Sequence, residues 1–148
     1  MKILNEFKCT FPADPANEAL ARATVSAFLI PADPTAQELA DLRTVISEAV
    51  TNAIVHGYRN TEGEVSVTLR MLPERVIYIR VSDKGCGIPD VNKAMQPLYT
   101  SAPEEDRAGL GFAIMQTFTD SLHVRSAPGH GTVLTMRRRL GKDHEAQP

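Results

Sequence analysis

The chain has 148 residues, and sixteen Lys and Arg against eighteen Asp and Glu leave a net charge of −2. That length fits one domain, the 43% hydrophobic content sets aside wholesale disorder, and the charge balance argues against general nucleic-acid binding by phosphate neutralisation. Cys9 and Cys86 give neither a disulfide framework nor a metal-ligand spacing, and there is no membrane-span pattern or secretory leader, so a cytoplasmic protein is expected.

Ile3 to Phe11 alternates, with Ile3, Phe7, Cys9 and Phe11 on one side, and reads as a half-buried strand with Cys9 as a core thiol. Asp14-Pro15 reads as a helix start, Asp as cap and Pro in the first turn. The helix runs through Leu20, Val25, Phe28 and Leu29, stops near Pro31, and carries Arg22. Thr35-Ala-Gln-Glu38 is a capping box. It opens a helix whose apolar stripe is Leu39, Leu42, Ile46, Ala49, Val50 and Ala53, with Gly57 as its stop. Glu48, Asn52 and His56 recur every four residues and so share one flank of that helix, beside the stripe.

Glu64 to Leu72 and Arg75 to Ser82 alternate and form a hairpin turning at Pro73-Glu74. Next comes the glycine-rich turn Asp83-Lys-Gly-Cys-Gly-Ile-Pro89, then a short helix over Asp90 to Gln96. Pro97 to Ala108 is polar and aperiodic, a long loop of the kind usually tied to function. Gly109-Leu-Gly111 opens a helix through Phe112, Met115 and Phe118. A last hairpin pairs Leu122 to Ser126 with Thr132 to Leu140, and residues 141–148 read as a tail on a single domain of residues 1–140. Helices and hairpins segregate in this order, which favours an α+β two-layer sandwich over a doubly wound sheet.

No P-loop or dinucleotide fingerprint is present. Gly109-x-Gly111 at a helix start could offer bare amides and a positive dipole end to phosphate, although such a pair is often only a turn. Asp83-x-Gly85-x-Gly87 after a strand is either a capped turn or a carboxylate accepting from a ligand amine. Asn52 is either a solvated side chain or a hard oxygen ligand for Mg²⁺, and Glu48 one turn away is either solvated or a general base.

Together these pieces say more. Glu48-Ala-Val-Thr-Asn52, Asp83-Lys-Gly85-Cys-Gly87, Gly109-Leu-Gly111 and Gly131-Thr132 follow the order of the N, G1 and G2 boxes and final threonine of the GHKL ATPase/kinase superfamily. Ser47–Tyr58, Gln96–Phe112 and Pro31–Leu39 closely resemble the anti-sigma F factors of endospore-forming bacteria, and the resemblance runs from about Phe7 to Leu140.

The resemblance implies the Bergerat α/β sandwich, with ATP or ADP between the helices and one sheet face. Asp83 would bind the adenine amino group, Gly85 and Gly87 would shape that pocket, and Thr132 would add a contact beside it. Asn52 would hold Mg²⁺. Gln96–Phe112 would be a lid, with Thr100, Ser101, Gly109, Leu110 and Gly111 contributing nucleotide contacts. Arg107 would neutralise the γ-phosphate and Glu48 would be the general base toward a serine hydroxyl. His56 is either a phosphate contact or a structural helix-end histidine. The implied activity is double. A homodimer binds and silences the sporulation sigma factor F without touching DNA or membrane. The same protein phosphorylates a serine of an anti-anti-sigma factor, with Arg22 contacting both partners. Departures from the family pattern are Ala102 for a lid lysine, Ser101 for threonine, Lys84 for an acidic residue, and Cys86 between the glycines. Two other readings stay open at this point: a nucleotide-gated binding module without catalysis, and the catalytic piece of a sensor histidine kinase.

Overall fold

The structure is a computed structural model describing residues 2–59, 61–95 and 107–141, with only the backbone path given for 107–110. Its elements run β1 (Asn5–Pro12), α1 (Asn17–Leu29), α2 (Ala36–Thr51), β2 (Glu64–Leu72), β3 (Val76–Asp83), α3 (Val91–Ala94), α4 (Arg107–Phe118), β4 (Ser121–Ser126) and β5 (Thr132–Arg139). The five strands form one antiparallel sheet in the order β1-β2-β3-β5-β4. This is the expected two-layer α+β sandwich.

Period-two alternation makes the sheet two-faced. Val65, Val67 and Leu69 of β2, Ile77, Ile79 and Val81 of β3, and Leu134 and Met136 of β5 are buried on one face. They meet Ala21, Val25 and Leu29 of α1, Leu42, Val45, Ile46, Ala49 and Val50 of α2, and Phe112 and Met115 of α4. The strand residues between them carry the charge. Tyr78 lies between the Arg70 and Arg137 guanidinium groups, 4.9 and 5.3 Å from its ring centre, in the cross-strand row Arg70–Tyr78–Arg137.

The capping box at the start of α2 is present as read, and it reaches further than a cap. Thr35 Oγ1 accepts from the Glu38 amide at 3.0 Å, and Glu38 Oε1 accepts from the Thr35 amide at 2.8 Å. The buried Glu38 also accepts from the Gly141 amide at 2.7 Å through Oε2. The cap thus ties the end of β5 to the head of α2, and Gly141, which the sequence assigns to the tail, is bonded to the body. A second buried polar tie was not foreseen. Arg138, on the inward face of β5, donates to Asp41 of α2 at 3.2 Å and to the Phe118 carbonyl at 2.9 Å. Such a pair fixes how α2, α4 and β5 sit together, since removing either partner strands a buried charge.

Four expectations need correction. The β1 alternation is real, but its inward side is buried only at one end: Phe11 is buried, Cys9 half-buried, and Phe7 and Ile3 exposed. β1 is an edge strand with little helix over its first half. Burial does raise the Cys9 thiol pKa, in keeping with a quiet core thiol. Asp14 does not cap α1. Its Oδ1 accepts from Ala16 in a local turn, and the helix begins at Asn17 without a side-chain cap. The α-helix of α2 ends at Thr51, not Gly57, and Asn52–Gly57 continue as a π-helical turn. Finally, α4 includes Arg107 and Ala108, which the sequence places in the preceding loop, so Gly109 and Gly111 lie inside the helix rather than before it.

Candidate functional site

The π turn sets the site. Its signature bond runs from the Tyr58 amide to the Ala53 carbonyl, five residues back, at 3.1 Å. The spacing of Glu48, Asn52 and His56 predicts one shared flank, and for Asn52 and His56 the structure bears this out. Asn52 and His56 both line a cleft of about 200 Å³, with Gly57 and Arg59. Cys86, Gly87, Ile88 and Pro89 form a second wall, and Ala94, Phe112 and Thr132 complete it. Glu48 lies beside the cleft. A Cβ added at Gly111 would stand 3.0 Å from Glu48 Oε2, so the absence of a side chain there makes room for the carboxylate against α4.

Asp83 sits at the end of β3, only 7% exposed. Its Oδ1 accepts from the Gly85 amide at 2.8 Å, and the Thr132 amide also donates to the carboxylate. Burial outweighs these bonds and raises its pKa above the ordinary 3.8. The carboxylate lies against Gly57, where an added Cβ would come within 3.0 Å of Oδ1. Gly57 is therefore more than a helix stop, a role with no signal in the helical pattern.

The turn after β3 is clamped from both sides. Gly85 rides on the π turn, and a Cβ there would lie 2.2 Å from the Gly57 carbonyl oxygen. That same carbonyl accepts from the Cys86 amide at 2.8 Å. Gly87, at φ +77°, faces the β4–β5 hairpin, where a Cβ would lie 2.1 Å from the Ala127 carbonyl oxygen. Gly131, at φ +80°, would place a Cβ 2.1 Å from the Asp83 carbonyl oxygen. Tyr58, which the sequence reading passed over, closes the back: its hydroxyl accepts from the Lys84 amide at 2.9 Å and donates to the Glu64 carbonyl at 2.6 Å. Lys84 itself is exposed. Cys86 is exposed, with its Sγ 3.2 Å from the His56 carbonyl oxygen.

The structure thus brings Asn52, His56, Gly87 and Thr132 to one cleft, with Asp83 and Gly85 behind its wall and Glu48 and Gly111 at its α2–α4 side. Thr100, Ser101 and Ala102 lie outside the described residues, and for Arg107, Gly109 and Leu110 only their helical backbone is described. Arg22 is elsewhere. It lines a groove between α1 and α2 with Ala40, Arg43, Thr44 and Ser47, sharing no residue with the cleft. Its guanidinium is held 3.0 Å from Glu18, which also takes the Ser47 hydroxyl. Arg59 is a cleft-lining cation that no motif pointed to.

The family model of the histidine kinase-like ATPase domain matches residues 11–138. An anti-sigma F factor of a Thermoanaerobacter species is 46% identical over 97% of this chain and 99% of its own length. The anti-sigma F factor of Bacillus subtilis is 45% identical over 93% of this chain and 94% of its own length, and that of Clostridium kluyveri 48% over 90% and 94%. Among solved structures, the RsbU and RsbW domains of a Mycobacterium tuberculosis protein superpose with a TM-score of 0.67 at 21% identity, covering 92% of this chain and 32% of that one. The mycobacterial sensor histidine kinase MprB gives 0.54 at 22%, covering 69% and 74%. At these identities the two structures speak to the fold.

Asp83 carries a pH signature. Because burial raises its folded pKa, the folded chain holds more protons than the unfolded one between 3.8 and the raised value. Stability from this group is therefore full below the unfolded pKa and is lost as pH rises through the folded one. Asp83→Asn removes that titration. Its thermal midpoint, minus that of the wild type, is expected to grow as pH is raised from about 4 toward neutrality. A difference that stays constant across this range would contradict the buried, destabilised carboxylate.

Proposed function

This chain belongs to the anti-sigma F factors, within the histidine-kinase-like ATPase domains, and from that premise we propose how its residues divide the work. It is an anti-sigma factor with a serine-kinase domain of the GHKL type. In our reading it captures the sporulation sigma factor F in the cytoplasm as a homodimer, and uses ATP to phosphorylate a serine of an anti-anti-sigma protein. No described helix is long and apolar enough to cross a membrane. The observation that supports the reading most is the cleft itself: a buried carboxylate behind one wall, an amide and a hydroxyl lining it, and a second carboxylate at its α2–α4 side.

Asp83 accepts from the adenine amino group, and the turn through Gly85 and Gly87 lets the base approach backbone. Thr132 contacts the same end of the base. The phosphates point toward α4, where Gly109, Leu110 and Gly111 present backbone and Arg107 brings positive charge. Thr100 and Ser101 complete the lid contacts. Among the described residues no group of three His, Cys, Asp or Glu could hold a metal alone. Asn52 offers one hard oxygen at the cleft, which fits a divalent ion held mainly by phosphate and water. Mg²⁺ held there by Asn52 would supply charge neutralisation to the phosphates. Glu48 takes the proton of the incoming serine hydroxyl as it attacks the γ-phosphorus, and ADP leaves.

Arg22 recognises partners rather than nucleotide. Its guanidinium, pre-positioned by Glu18, faces an acidic group on either the sigma factor or the anti-anti-sigma protein. Two partners needing one cation compete, and phosphorylation of one removes it from the competition.

Glu48→Gln is expected to bind ATP normally and to lower transfer of radiolabel from ATP to the anti-anti-sigma protein about 100-fold or more. Full label transfer by this variant would remove Glu48 as base, and no transfer by the wild type would reduce the protein to a nucleotide-gated binder. Arg22→Ala is expected to weaken both protein partners with ATP affinity unchanged, as read by titration calorimetry. Undiminished binding of both would refute the shared contact.

A further inference from the structure

The hydroxyl protons around Thr132 can be counted. Ser126, the last residue of β4, has one hydroxyl proton and two lone pairs. Its Oγ donates to the Gly131 carbonyl at 2.9 Å, which spends the proton, because a carbonyl only accepts. It accepts from the Ile88 amide at 2.8 Å, which uses one lone pair. Its third neighbour is Thr132 Oγ1 at 2.8 Å. With the Ser126 proton committed, Thr132 must be the donor in that contact. Ser126 is then saturated, and the Thr132 hydroxyl has no proton left for a ligand.

We propose that Ser126 is a positioning residue for base selection: by taking the Thr132 proton it makes Thr132 an obligate acceptor at the cleft. Thr132 lines the cleft and is itself nearly buried. Asp83, whose backbone pairs with that of Thr132 across β3 and β5, is also an acceptor when ionised. Two adjacent acceptors favour an exocyclic amino group, which brings two N–H donors, and disfavour a carbonyl oxygen in the same place. The site therefore selects 6-aminopurine over 6-oxopurine nucleotides, and Ser126 contributes to that choice without touching the base. The bond from Ile88 adds a second effect. It joins the turn after β3 to the β4–β5 hairpin, so the wall and the acceptor are set by one hydroxyl.

This inference rests on the reading that a purine nucleotide occupies the cleft, and the test separates the two. Affinities for ATP and inosine triphosphate are measured by calorimetry on the full chain. The wild type should favour ATP. In Ser126→Ala the Thr132 hydroxyl regains its proton and can turn it toward a carbonyl, so the preference should fall by about tenfold. Ser126→Thr, which keeps the hydroxyl, should restore it. Failure of the wild type to bind either nucleotide would overturn the proposed function itself. Equal binding of both by the wild type, or an unchanged preference in a folded Ser126→Ala, would overturn only the role of Ser126. If Ser126→Ala does not fold, proton NMR of the wild type decides. A slowly exchanging Thr132 hydroxyl with a cross-peak to the Ser126 β protons supports the assignment, and its absence overturns it.

Discussion

The site depends on backbone approaching backbone where no side chain fits. The turn after β3 is pressed between the π turn on one side and the β4–β5 hairpin on the other. Gly85 meets the Gly57 carbonyl, Gly87 the Ala127 carbonyl and Gly131 the Asp83 carbonyl, each at a separation that a Cβ would reduce to 2.1–2.2 Å. Hydrogen bonds hold the same seams, from Cys86 to Gly57 and from Gly129 to Cys86. This packing buries Asp83 and leaves the cleft open beside it. Glycine here serves less to make turns than to let three segments share one small volume.

The arrangement trades stability for function. A carboxylate shielded from water costs folding free energy at neutral pH, and among the described residues the Gly85 and Thr132 amides offset part of that cost. The π turn is an irregular turn of the kind enriched at functional sites, and it carries Asn52 and His56 at one cleft. Glu38 and the Asp41–Arg138 pair lash the helical layer to the C-terminal end of β5.

The parts of this design with a period were legible in sequence. Strands β2, β3 and β5 showed their inward residues by alternation, and Thr35 with Glu38 announced the head of α2. The glycines of the turn after β3 were visible as small residues, though not which carbonyl each one faces. The π turn was hidden, because Glu48, Asn52 and His56 fit a four-residue repeat that the backbone abandons after Asn52. Tyr58 had no sequence signal of its own, yet its hydroxyl joins Lys84 to Glu64. Asp41 and Arg138 are 97 residues apart, and nothing local marks either as buried. At β1 the pattern gave the right face but not its exposure, since alternation says which residues point alike and not whether a helix covers them.

The central claim is that glycine-only packing of the turn after β3 against the π turn creates the nucleotide site. Gly85→Ala tests it most directly, because its Cβ would stand 2.2 Å from the Gly57 carbonyl oxygen and backbone must move. The account predicts that calorimetric ATP affinity falls at least about tenfold while circular dichroism still reports the intact sheet and helices. A folded Gly85→Ala protein that binds ATP as tightly as the wild type would contradict it.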